Sequence, residues 1–202
     1  MPDKSMIFSA PMVLALRAGT KTQHRTPIKW QGPRGVDYSF ANAWLDNPAG
    51  VPRLCVPYKI PEDIDDLWDE CRAYRHHGRV NSGERIWVRE AWGPWDGDQS
   101  AAYRADGGEM PTGGWRSPIR MPRRFSRITL TATDVRVMRV QDINRGDAMG
   151  EGCPFANMAD GPDPRAWYAA LWNSIHGPDA WGRNDWVEAL TFAVRKRNID
   201  HE

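Results

Sequence analysis

The chain has 202 residues, 41% of them hydrophobic, with 11 tryptophans, which is enough large apolar surface to bury one core and to exclude wholesale disorder. A formal net charge of +1 hides segregation. Lys4, Arg17, Lys21, Arg25, Lys29 and Arg34 crowd the opening segment, Arg116, Arg120, Arg123, Arg124 and Arg127 form a second basic stretch, and Glu62 to Glu70 is acidic. No stretch approaches the roughly 20 apolar residues of a membrane helix, and the opening MPDKSMIFSAPMVLALRAG lacks the order of a signal peptide, so a cytoplasmic protein without a membrane partner is expected.

Ser9, Pro11, the apolar Met12, Val13 and Leu16, and Gly19 predict a short helix over about 10–18. Residues 20–27, TKTQHRTP, are too polar for a core and read as a loop or extended segment carrying Lys21, His24 and Arg25. From 30 to 61 the Pro, Gly, Asn and Asp content predicts an irregular excursion with one hairpin. Ile64, Leu67, Trp68, Cys71 and Tyr74 then give an amphipathic helix over 62–75.

Ile86 and Val88 alternate with Trp87 and Arg89 in a strand that ends at Glu90. Residues 93–118 read as a loop. Ile128, Leu130 and Ala132 lie in one phase and Val135 and Val137 in the other, so the strand over 127–140 carries a bulge or bend at Thr133-Asp134. A short helix closed by glycine follows over 141–152, then a helix over 164–175 with Trp167, Leu171, Trp172 and Ile175 inward, a strand over 186–194, and a polar tail at 195–202.

Cys55, Cys71 and Cys153 are odd in number and lack CxxC spacing, which favours reduced thiols; Cys55, Cys71, His76 and His77 fit no standard zinc spacing, so no metal and no cofactor is assigned. Of the tryptophans, Trp68, Trp167, Trp172 and Trp186 read as core, whereas Trp30, Trp92, Trp95 and Trp115 lie beside basic residues where a base could stack. The mixture of strands and unequally spaced helices is α+β, and a small, mostly antiparallel barrel with helices around it is the expected architecture.

Ala18-Gly19-Thr20-Lys21-Thr22-Gln23-His24-Arg25 after an apolar helix resembles the glycine–lysine–arginine signature of the ASCH family, a branch of the PUA-like barrels. The likeness extends to Gly83–Glu90, to Met121–Leu130 with Thr133–Val137, to Leu171–Ile175 and to Trp186–Val194. It covers one domain, 1–202, with insertions at about 30–80 and 93–118. The resemblance implies a PUA-like β-barrel, a cleft between barrel and first helix with Lys21 at its floor, and a nucleoside or RNA as partner. One branch of the family removes acyl groups from N4 of cytidine with a lysine, a threonine three positions later and a glutamate; here those positions are Lys21, His24 and Glu151.

The resemblance therefore implies an amidohydrolase on N4-acylcytidine with Lys21, His24 and Glu151 catalytic. Arg25, Glu90 and Thr22 are the candidate substrate contacts. Histidine replaces the threonine, so a base acting on water, or a neighbouring hydroxyl of Thr20, Thr22 or Thr26, would take over the nucleophile's part. The alternatives are a non-catalytic RNA- or DNA-binding module, with Arg120, Arg123 and Arg124 on phosphates, and a ribonuclease.

Overall fold

A computed structural model describes residues 3–29, 37–40, 43–46, 53–59, 73–77, 79–95, 100–155, 159 and 161–201. The main sheet has five strands, β1 (Lys4–Ile7), β2 (Gln23–Pro27), β7 (Arg85–Arg89), β10 (Thr129–Arg139) and β11 (Trp186–Arg195), in the order β1-β7-β10-β11-β2. β1 and β7 are parallel and every other pair is antiparallel. The apolar phase expected of these strands supplies the core: Ile86, Val88, Leu130, Ala132, Leu190 and Phe192 pack against Phe8 and against Val13 and Leu16 of helix α1 (Ala10–Ala18).

The register of β10 against β11 shifts between Ala132 and Asp134, at the bulge the two hydrophobic phases require. Its first half pairs with both β7 and β11. Beyond the bulge β10 pairs with β11 alone, and Val137 turns to Leu54 and Val56 of a second sheet. That sheet centres on β5 (Arg53–Lys59), which pairs β3 (Asp37–Tyr38), β4 (Trp44–Asp46) and β6 (Ala73–His77). A hairpin of β8 (Trp92–Trp95) and β9 (Ser100–Tyr103) occupies part of the segment read as a loop.

Helix α2 (Arg145–Gly150) is capped by the Asn144 side chain, which accepts from the Asp147 N–H, and is shorter than the helix expected over 141–152 because residues 140–142 form a 3₁₀ turn. Helix α3 (Pro164–His176) buries Tyr168 and Trp172 against Val140, Ile143, Ala148 and Val187.

Three further expectations need correction. The main sheet is not closed into a barrel: β1 and β2 are its two edges and do not pair. The side chains of Ile7, His24 and Thr26 occupy the space between those short edges and line the cavities there, where a closing ladder would have to run. Residues 73–77 form a strand, so the helix expected over 62–75 does not reach its predicted end; the remainder, with Cys71, lies outside the described residues. Ile175 is half exposed, and Tyr168 takes the inward position instead.

Candidate functional site

The site begins where α1 ends. Gly19 at φ +79° reverses the chain, and the N–H groups of Thr20 and Lys21 both return to the Ala15 carbonyl at 3.0 and 3.1 Å. This drives Lys21 inward instead of into solvent. Thr22 is fixed by its own backbone, its N–H donating to Gly150 O at 2.7 Å and its carbonyl accepting from the Phe192 N–H at 2.9 Å. Lys21 and Glu151 therefore face one another as an isolated antiparallel bridge between segments 130 residues apart.

Lys21 is wholly buried, and its Nζ donates to Glu151 Oε2 at 2.7 Å, Gln23 O at 2.7 Å and Glu151 O at 3.0 Å. Three acceptors are the full complement of an ammonium. The other carboxylate oxygen, Glu151 Oε1, accepts from Arg25 Nη1 at 2.9 Å. Arg25, also buried, gives Nη2 to Asp147 Oδ2 at 2.9 Å and lies over the Tyr168 ring. Gln23 and Arg136 complete the shell on Asp147, at 2.7 and 3.1 Å.

Two buried cations thus meet two carboxylates, the pairing that makes buried charge tolerable. Burial raises the Asp147 pKa, but the Gln23 hydrogen bond and the Arg25 and Arg136 charges outweigh it and hold the carboxyl below its ordinary range.

Beside this network lies a cavity of about 320 Å³, floored by Arg25 and Glu151 and walled by His24, Tyr168, Leu171 and Trp172. Its size is at the low end of the roughly 300–1,000 Å³ of small-molecule sites. The His24 ring packs on Phe8 at 5.0 Å between centroids. Burial first, and then the Lys21 charge, push its pKa down to about 4, with Glu151 opposing. The imidazole is therefore neutral at pH 7.

The structure brings Lys21, His24, Arg25 and Glu151 together; the remaining candidates lie elsewhere. Thr22 is exposed and does not line the cavity. Glu90 is buried in a separate pair, accepting from Arg127 Nε and Nη2 at 2.8 and 2.9 Å, and Arg127 stacks on Tyr103. Arg123 is held by Asp3 and Asp200, Arg124 lies over Phe125, and Arg120 is exposed.

Trp92 is buried against Met121 and Phe125 with Arg116 over its ring, and Trp30 lies outside the described residues. Among the described residues no group of His, Cys, Asp and Glu could hold a metal ion, and Cys55 and Cys153 are buried thiols not joined in a disulfide. No described helix is long and apolar enough to cross a membrane.

Sequence reasoning missed Asp147, Gln23 and Tyr168. Asp147 had a signal, since a carboxylate in the first turn of a capped helix is favoured by the dipole, but nothing local announces that Arg25 reaches it across 122 residues. No family model, no curated protein and no solved structure matches the chain.

Proposed function

We propose that the chain is an ASCH-like hydrolase that cleaves the amide of an N4-acylated cytidine. One observation carries the reading: Lys21 and Glu151, singled out by motif position in separate segments, meet at 2.7 Å, and Glu151 lines a cavity whose wall holds His24 while Lys21 lies buried behind it.

On this reading Glu151, His24 and Arg25 take different parts. Glu151 accepts from a cation on each oxygen and so organises Lys21 and Arg25 rather than delivering a proton. Neutral His24 takes a proton from water as the water oxygen bonds to the acyl carbon. The Arg25 guanidinium on the cavity floor offsets the charge that develops on the carbonyl oxygen. The C–N4 bond then breaks, the imidazolium returns the proton to N4, and a carboxylic acid and the free cytosine amine leave.

Incubation of the protein with N4-acetyl-, N4-hexanoyl- and N4-benzoylcytidine, with release of cytidine followed by mass, tests this. Cytidine should appear with the wild type, and His24→Ala should slow its release by about 10²–10⁴-fold, the usual worth of a positioned acid or base. Release that is absent with all three substrates, or unaffected by His24→Ala, overturns the reading.

A further inference from the structure

His24 stands between two cavities. The first, described above, is lined on its far side by Met12, Tyr168, Leu171, Trp172 and Ile175. The second, about 640 Å³, opens between the edges β1 and β2 and is lined by Asp3, Lys4, Ser5, Arg79, Arg89 and Glu188. Ile7, His24 and Thr26 belong to both linings, so the two cavities adjoin along these residues.

The second cavity holds a buried acid that the hydrolytic step does not use. Glu188, on β11 opposite Thr26, is 6% exposed, and its Oε2 accepts from the Arg79 N–H at 2.9 Å. The charged groups around it are mostly engaged elsewhere: Asp3 with Arg85 and Arg123, Lys4 with Glu84, and Arg89 with the Ile119 carbonyl. What remains is a polar chamber, twice the size of its neighbour, with a carboxyl group suited to accept from hydroxyl donors.

We propose that the substrate runs from one cavity to the other past the residues they share, with its scissile amide at His24, its acyl group in the apolar cavity and its nucleoside in the polar one, where Glu188 accepts from the ribose hydroxyls. The inference rests on the amidohydrolase reading and adds the substrate's direction and the class of its acyl group. Size and polarity agree on this direction: the larger, hydroxyl-bearing half takes the larger, polar chamber. The apolar cavity exceeds the needs of an acetyl group, and each further buried methylene adds binding, so the preferred acyl group is a longer aliphatic or an aromatic one.

The test compares kcat/KM for N4-acetyl-, N4-hexanoyl- and N4-benzoylcytidine, on the wild type and on variants. The longer acyl groups should be favoured roughly tenfold or more over acetyl. Met12→Trp and Ile175→Trp, which narrow the apolar chamber, should compress that ratio toward one. Glu188→Gln should raise KM for all three by a similar factor and leave the ratio alone. Should Glu188→Gln fold poorly, N4-hexanoylcytosine, which lacks the ribose, replaces it and should show a higher KM than the nucleoside.

Cleavage of all three with acetyl equal or preferred overturns this inference and leaves the hydrolase reading standing. The inference is likewise overturned if Glu188→Gln changes the acyl preference, or if the ribose-free substrate binds as well as the nucleoside. Failure to cleave any of the three removes the hydrolase reading, and the inference with it.

Discussion

On the proposed hydrolase reading, His24 is the residue whose state the activity should report. Above about pH 6 its imidazole is neutral, so kcat/KM should be level there and fall as pH drops through about 4, a pKa set first by burial and then by Lys21. A profile that instead breaks near the ordinary value of about 6.5 would remove His24 as the base. Stability follows the same group. The unfolded chain takes up a proton below about 6.5 that the folded chain resists until about 4, so stability declines as pH falls across that window and is restored above it. His24→Gln should flatten that part of a melting-temperature curve.

Lys21 belongs to a different class of residue. With no exposed surface and three acceptors, its removal leaves Glu151 with one cation and an uncompensated buried charge. Lys21→Met should cost about 3–5 kcal/mol in urea denaturation, the usual penalty for breaking one side of a buried ion pair. A stable Lys21→Met variant would show that the lysine is not integral to the network.

At the scale of elements, α1, β7, the bulged β10, α3 and β11 were legible because each is long or periodic enough for its apolar phase to show. The site residues were legible in part. Lys21 and His24 stood out through the motif resemblance, but a polar octapeptide reads as solvated, and it is contacts from Phe8, α2, α3 and β11 that enclose Lys21, His24 and Arg25. Glu90 failed for the converse reason: a strand-end acid looks available until Arg127, 37 residues on, closes over it. The barrel failed because strand patterning gives the faces of a sheet and not whether its edges meet.

The link from α2 to the cavity depends on one backbone position. Gly152 sits at φ +98°, and a Cβ there would lie 3.1 Å from Ala15 Cβ and 3.4 Å from Lys21 Cβ. Gly152→Ala should therefore destabilise by about 1–3 kcal/mol and lower activity with it, read by thermal melting and by cytidine release. On α3 the contrast is sharper. Trp172→Ala should cost about 3–5 kcal/mol, whereas Ile175→Ser on the exposed side should stay within about 0.5 kcal/mol.

At the scale of the whole molecule, the ion pairs among the described residues gather in a few separate knots. Arg123 ties Asp3 to Asp200, and Arg127 joins Glu90 to Asp106, which Arg17 of α1 also reaches. Arg123→Gln should lower the melting temperature at low salt and much less in about 1 M salt, because exposed pairs are screened over a few ångströms at that strength. An equal effect in both salts would mean that Arg123 acts through packing.

The Lys21–Glu151 contact also bears on how the molecule assembles. It spans 130 residues, and the pairing of β2 with β11 spans still more sequence. Loops that long close slowly, while α1 and α3 can form from neighbouring residues alone. No autonomous fragment can hold this cavity, since its floor is made when the first fifth of the chain meets the last quarter. During refolding from denaturant, far-UV circular dichroism should recover ahead of the proposed cytidine release, making return of that activity a clock for the final long-range closure.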